Sequence, residues 1–257
     1  MRRRQLVELE DLSWWPRAVR DGGTDWLAFM WNTSQVFSAC APRIRGAMNA
    51  TGTTRVLDLC SGSGGPWPTL QPALAASGPA DVLLSDRFPH ADAVAAAAAR
   101  RLRYHPLPVD ATAVPPELDG VRTMFNAFHH FPPPVARAIL ADAVARRRAV
   151  AVFEGVDRRA IGLVAMPLQL PAMLLCTPFV RPMRVSRLLF TYVVPLIPLM
   201  VLFDGTVSFL RLYLERDLRE LVATVPGAES YDWDIGTTVA DRLPVAMTHL
   251  VGVPKPE

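Results

Sequence analysis

Two sets of side chains are spaced for chemistry: three carboxylates that each close a short apolar run, and a histidine pair that follows an asparagine. The first carboxylate stands in Arg55-Val-Leu-Asp-Leu-Cys-Ser-Gly-Ser-Gly-Gly65, where Val56, Leu57 and Leu59 read as a buried strand running into a glycine-rich turn. Gly62, Gly64 and Gly65 permit a tight turn and close backbone approach to a ligand, and Asp58 sits at the carboxyl end of its strand, where open α/β sheets bind ligands. A dinucleotide loop needs G-x-G-x-x-G opening a helix, so that a pyrophosphate meets free N–H groups. This turn lacks that spacing, and Pro66, Trp67 and Pro68 after it are bulky. Asp58 repels a pyrophosphate but hydrogen-bonds an amine or ammonium, so the expected ligand is a nucleoside cofactor with a positive end. Asp86 closes Asp81-Val-Leu-Leu-Ser-Asp86 about twenty residues on, the spacing at which a second strand's carboxylate meets ribose hydroxyls. Its other role is to cap the helix of the alanine run Ala95 to Ala99. Asp110 closes a third extended run, Leu107-Pro-Val-Asp110, although a single acid there also serves as a loop residue.

After a fourth apolar run, Val121-Arg-Thr-Met-Phe125, comes Asn126-Ala-Phe-His129-His130-Phe131. An imidazole titrates near neutrality, at about 6.5, so His129 or His130 is a candidate base for a phenol or an activated carbon acid. A carboxylate acceptor, already an anion, needs no base. The alternative is that one histidine binds backbone and the other packs. No metal site is expected, because adjacent histidines diverge and no H-E-x-x-H helix or close cysteine pair accompanies them.

The acidic residue followed by a glycine-rich turn, with acids closing the next two runs, resembles the class I S-adenosylmethionine-dependent methyltransferases over roughly residues 50 to 160, and more loosely over the last forty. The resemblance implies S-adenosyl-L-methionine as cofactor and S-adenosyl-L-homocysteine as product. It puts Asp58 near the amino acid part of the cofactor with Cys60, Ser61, Gly62 and Gly64 in the turn, and Asp86 on the ribose with Arg87 beside it. It gives Asp110 the adenine amino group, the Ala111 backbone a ring nitrogen, and Asn126 a place on the cofactor side of a loop that faces the methyl group. Cys60 stands where the family usually has its first glycine; a small thiol fits there if the turn needs no positive φ. The D-L-C-S-G-x-G-G turn, the N-x-x-H-H loop and an apolar insertion together resemble a group of bacterial methyltransferases.

The elements that must position these residues follow from composition and patterning. At 257 residues, half of them hydrophobic, the chain can bury a substantial core and reads as one domain with additions. Residues 1–50 hold Trp14, Trp15, Trp26, Phe29, Trp31 and Phe37 and are expected to form two or three helices; in the family it resembles, such a cap closes over cofactor and acceptor. Residues 51–160 form the Rossmann-like cofactor-binding core. Residues 161–210 are an apolar helical insertion: Ala160 to Val180 and Leu188 to Phe203 are uncharged, with Arg181, Arg184 and Arg187 between them. A pair of transmembrane spans is disfavoured by the shortness of the second run, by Pro167, Pro171, Pro178, Pro182, Pro195 and Pro198, and by arginines that would lie on the far side. Either a monotopic element in one leaflet or a hydrophobic lid over an apolar acceptor accounts for it. Asp204 either faces the acceptor or caps the helix that follows.

Residues 211–257 supply an amphipathic helix after Leu214 and two extended runs, Tyr231 to Ile235 and Met247 to Val253, that match the terminal antiparallel hairpin of the methyltransferase fold. The expected architecture is thus α/β: a Rossmann-like, seven-stranded methyltransferase sheet with helices on both faces. Three scattered cysteines argue against a disulfide framework and for a reducing cytosol. The N-terminus, Met-Arg-Arg-Arg then Glu8 and Glu10 without an apolar segment, is not that of a signal peptide. A net charge of +3 without aromatic-basic interleaving argues against nucleic acid. The expected activity is methyl transfer to a small hydrophobic or lipid-like acceptor, at oxygen before carbon or nitrogen, in the cytoplasm or peripherally on the inner membrane face. A non-catalytic, membrane-associated module on the same fold is the alternative, and the oligomeric state stays open.

Overall fold

The computed structural model describes residues 3–89, 91–155, 167, 169–240 and 245–256. Five parallel strands, β1 (Arg55–Asp58), β2 (Asp81–Leu84), β3 (Arg103–Tyr104), β4 (Val121–Phe125) and β5 (Val150–Glu154), are joined by an antiparallel pair, β6 (Tyr231–Val239) and β7 (Ala246–Pro254). The sheet order is β3-β2-β1-β4-β5-β7-β6. Chain direction across the sheet reverses beside β1, which lies between β2 and β4. The loops leaving β1, β2 and β4 therefore share one edge of the sheet, the crevice in which such sheets bind ligands.

Every residue of β4 and β5 is buried, as both-face coverage of a parallel sheet requires. Strand alternation divides the core. Val56 and Phe153 face one layer with Ile44 and Met48 of α2 (Ala41–Ala50) and Leu70 and Leu74 of α3 (Trp67–Ala75). Leu57 and Val152 face the other with Ile139 and Leu140 of α5 (Pro133–Ala145), which follows the alanine-rich α4 (Ala91–Ala99). The bulky Trp67 that closes the glycine turn is fully buried, its ring edge-on to Phe125 at 5.7 Å between centroids.

The cap's long helix, α1 (Arg17–Ser34), packs on the insertion rather than on the sheet alone. The insertion runs through α6 (Gln169–Cys176), the short α7 (Val185–Leu188) with a π-turn over Leu189–Val193, and α8 (Leu196–Arg211). Val19 and Trp26 share a separate apolar core with Met173, Val180, Ile197, Met200 and Val201. Among the described residues no single helix is long and apolar enough to cross a membrane, and Val185–Val193 and Leu196–Arg211 meet at a bend of 79°. The start of the insertion, residues 156–166, lies outside the described residues. The amphipathic helix after Leu214 is α9 (Glu215–Val222), which buries Leu218, Leu221 and Val222.

Two expectations are corrected here. The third strand is only Arg103–Tyr104, and Asp110 lies in the loop beyond it, because Pro106 and Pro108 have no N–H to give a ladder. Asp204 does not cap a following helix: it sits inside α8, which continues to Arg211.

Candidate active site

The glycine turn is built around Asp58. Its carboxylate is 2 % exposed and accepts hydrogen bonds from the hydroxyls of Ser61 (2.6 Å) and Thr123 (2.6 Å). Burial pushes its pKa up to about 7 against those hydrogen bonds. Each oxygen accepts one hydrogen bond inside the protein, and the buried carboxylate shapes the turn from beneath. Ser61 also donates to the Asp58 carbonyl and, through its backbone N–H, to Ser85 O at 2.9 Å, which stitches the turn to the end of β2.

Cys60 departs from the sequence reading. Its φ is +59°, so the turn does need the left-handed conformation at this position. A Cβ there costs roughly 1–2 kcal/mol that the family's glycine would avoid. The thiol is held protonated, burial first and then the charges of Asp86, Asp58 and Asp110 raising its pKa. Gly62 and Gly64 also have positive φ, +51° and +100°. A Cβ on Gly62 would meet nothing within 4 Å, which leaves an open cradle above the turn.

Asp86 faces that cradle from β2. Its Oδ2 accepts the Gly62 N–H at 2.9 Å and its Oδ1 the Phe88 N–H at 2.8 Å. Each carboxylate oxygen keeps a second lone pair for a hydroxyl donor. It does not cap α4; it ties the loop after β2 to the turn. Asp110, with Thr112 N–H and Oγ on one oxygen, is held low by those hydrogen bonds and lies 3.3 Å from Arg87 on the other. The Ala111 side chain is buried beside it. Asn126 adopts φ +49° at the end of β4, and its side-chain oxygen accepts the Gly155 N–H. A Cβ on Gly155 would meet Phe37 Cζ at 2.9 Å and Asn126 Oδ1 at 3.0 Å, so only glycine fits there.

The histidines lie in a turn at Phe128–His130 beyond Asn126. They do not diverge: their ring centroids are 4.3 Å apart. Carboxylates on both sides draw the two rings together. His129 is 5 % exposed, with Nδ1 at 2.6 Å from Glu154 Oε2, while Glu154 Oε1 accepts the backbone N–H of Phe128 (2.8 Å) and of His129 (3.2 Å). Glu154, the acid that ends β5, therefore sets both the turn and the ring. A carboxylate only accepts, so a proton on Nδ1 belongs to this bond; Nε2 is buried, makes no hydrogen bond and lies 3.8 Å from Glu8 Oε1.

His130 faces Asp11 (3.4 Å), Glu8 (3.7 Å) and Glu10 (3.7 Å). Burial works to lower its pKa, but the hydrogen bond to Asp11 and the three acidic charges outweigh it and hold the pKa up to about 9. A cation at neutral pH is no base, so His130 is set aside. Glu10 is pushed up to about 7, by burial first.

These side chains form one wall of a cavity of about 130 Å³. Glu8, Glu10, Asn126, His129, Glu154 and Asp204 line its polar side; Leu27, Met30, Trp31, Met200, Phe209 and Leu212 line the apolar side. Asp204 accepts the backbone N–H groups of Leu9 and Glu10, so it fixes the acidic segment over the histidines. Arg211 at the end of α8 binds Glu8 (3.1 Å), Asp11 (2.8 Å) and the carbonyl of His130 (2.8 Å). Glu8, His129 and His130 bring ligand-type atoms within 4.8 Å of one another. The Arg211 guanidinium already supplies the positive charge that a metal would bring to Glu8.

Sequence reasoning missed Glu8, Glu10, Glu154 and Arg211 as site residues. For Glu154 a signal existed, since it closes a strand just as Asp58 does.

No protein-family model matches this chain, and no curated protein sequence matches it. Among solved structures, the plantazolicin methyltransferase BpumL in complex with SAH is similar with a TM-score of 0.61 at 10 % identity, over 96 % of this chain and 94 % of that one. The plantazolicin methyltransferase BamL in complex with a triazolic desmethylPZN analog and SAH gives 0.54 at 11 % identity, over 92 % and 98 %. The fold of this chain is thus that of the α/β methyltransferases, seven strands with helices on both faces.

Proposed function

We propose that this protein is an S-adenosylmethionine-dependent methyltransferase whose acceptor, a small hydrophobic or lipid-like molecule with a hydroxyl, lies in the cavity between cap and insertion. The observation that carries the reading is the buried Nε2 of His129, which makes no hydrogen bond and faces Glu8 Oε1 at 3.8 Å, on the wall of a largely apolar cavity that also reaches Asn126. Support for the cofactor comes from the open cradle over Gly62, from the spare lone pairs of Asp86 beside it, and from a fold shared with methyltransferases crystallised with SAH. When bound, the cofactor supplies a sulfonium methyl for in-line displacement.

Asp86 would hold the ribose, Asp110 and the Ala111 backbone the adenine, and Asn126 the side from which the methyl is presented. Asp58, Ser61 and Thr123 hold the turn in shape. The bound cofactor would supply the methyl group to the acceptor oxygen, and His129 Nε2 would take the hydroxyl proton. Glu154 stabilises the imidazolium that results. The apolar walls from α1 and α8 exclude water, and positioning provides most of the acceleration.

Isothermal titration with S-adenosylhomocysteine tests the reading. Wild type should bind, and Asp86→Ala, which loses the ribose acceptors, should bind at least about tenfold more weakly. Folded protein with no affinity for S-adenosylhomocysteine would favour a non-catalytic module instead. Unchanged affinity in Asp86→Ala would show that the ribose lies elsewhere.

A further inference from the structure

Most of the large hydrophobic side chains left exposed among the described residues belong to one segment, the insertion. Leu175 is 74 % exposed, Phe179 67 %, Val185 80 % and Val193 72 %, with Leu199 and Phe203 also exposed one turn apart on α8. The opposite face of α8 is buried: Ile197, Met200 and Val201 pack against α1. The insertion therefore has an inner surface that makes a core with the cap and an outer surface that nothing among the described residues covers. The pieces of that outer surface are tied together, for Tyr192 Oη donates to Leu174 O, which joins the π-turn to α6. An uncovered apolar surface of this kind marks an interface.

Charge selects the occupant. Between residues 158 and 203 the sequence carries five arginines and no aspartate or glutamate. Arg187 is buried and spent on Asp25 at 2.7 Å, and Arg184 lies 3.3 Å from the same carboxylate. Arg181 stands exposed next to Pro182 and close in sequence to Phe179, donating to the Pro178 carbonyl at 3.2 Å. Short helices broken by prolines, aromatic and aliphatic tips, and the exposed Arg181 beside arginines whose charge Asp21 and Asp25 offset form a surface suited to lying in the headgroup region of an acidic bilayer. A second copy of the same segment would bring no carboxylate of its own to pair with Arg181. The 79° bend and the inner face committed to the cap fit a surface-bound element and not a span.

We propose that the outer face of the insertion docks the protein on membranes rich in anionic lipid. The inner face of α8 supplies Met200, Val201, Asp204, Gly205 and Ser208 to the acceptor cavity, so docking places that cavity directly behind the membrane-facing wall.

The test is flotation of the purified full chain with phosphatidylcholine vesicles and with vesicles containing about one-third phosphatidylglycerol, where the anionic set should carry the protein and added salt should weaken binding. Phe179→Glu with Val193→Glu should abolish flotation, and Arg181→Glu should reduce it about fivefold or more. All three substitutions are at exposed positions, and an unchanged melting temperature and S-adenosylhomocysteine affinity would show that the variants are folded and the cofactor site intact. The proposal is overturned if wild type stays at the bottom with both vesicles, if it floats equally with neutral ones, or if the double variant floats undiminished. It is equally overturned if light scattering finds a dimer that the double variant dissolves while vesicles capture nothing. Cofactor titration is read separately, so failure here leaves the methyltransferase reading standing.

Discussion

Glu154→Gln separates a base-positioning carboxylate from one that merely fills space. In the wild type, Oε1 serves the N–H groups of Phe128 and His129, and Oε2 serves His129 Nδ1 at 2.6 Å. A glutamine has a single acceptor oxygen. The two backbone N–H groups can be satisfied only by that oxygen, so the new NH2 faces Nδ1. Two donors cannot share the bond, and the imidazole proton must leave Nδ1 for Nε2, the atom on the cavity wall. The variant keeps the volume and two of three hydrogen bonds but replaces a charge-assisted bond by a neutral one, a loss of about 1–2 kcal/mol. For a chain of this length that is a drop of about 2–8 °C in melting temperature. Long-range nitrogen–proton NMR of the imidazoles reads the tautomer without an acceptor: His129 should carry its proton on Nδ1 in the wild type and on Nε2 in the variant. Once an acceptor is known, turnover should fall about 10²–10⁴-fold with cofactor affinity unchanged. An Nδ1 proton retained in the variant, with an unshifted melting temperature, would refute the dyad.

Two further outcomes follow from the same geometry. His130 has its pKa raised from 6.5 to about 9, so its folded-state contribution is fully present below pH 6.5 and is lost as pH rises through 9. Glu10, raised from 4.5 to about 7, favours the protonated folded state, so its effect also declines with rising pH, through 7. Stability in urea should therefore decline from mildly acidic to alkaline pH, with at most about 3 kcal/mol from His130. His130→Gln should flatten the alkaline limb, and an unchanged slope would remove His130 from the account. Cys60→Gly relieves the left-handed strain at φ +59° while loosening the unfolded chain, for a net gain of about 0.5–1 kcal/mol with S-adenosylhomocysteine binding retained. A destabilised variant would mean that the thiol's packing matters more than its backbone.

What was legible in the sequence was local. The glycine turn, Asp86, the terminal hairpin and the helix after Leu214 are each specified within ten residues or so, by strand periodicity and turn chemistry. Cys60 misled because a cysteine's left-handed φ is imposed by its neighbours: Asp58 below and Ser61, which reaches across to Ser85. Asp110 was assigned to a strand because a carboxylate ended an apolar run, but two prolines stop the pairing well before it. The acidic wall was invisible for a different reason. Glu8 and Glu10 read as ordinary solvated charges, and only the folded chain brings them onto a histidine turn some 120 residues away, where Asp204 and Arg211 from α8 hold them. No spacing rule relates those segments.

The glycine pair in the middle of α1 shows why cap and insertion belong to one device. A glycine inside a helix costs about 1 kcal/mol relative to alanine, so two in succession, Gly22 and Gly23, weaken the longest helix of the cap. The structure supplies the reason: a Cβ on Gly22 would fall 2.4 Å from Ile197 Cδ1, and one on Gly23 would fall 2.2 Å from Met200 Cε. Gly23 and Met200 both line the cavity, so the place where the two helices meet is also one of its walls. On the far side of that same helix stand Leu199 and Phe203, exposed. A force or contact on the outer stripe of α8 thus has only one helix to cross before it reaches Met200 and Asp204. Asp204 in turn holds the backbone of Leu9 and Glu10 over His130. The insertion thus supplies Met200, Val201, Asp204, Gly205 and Ser208 to the same cavity that His129 and Glu154 line.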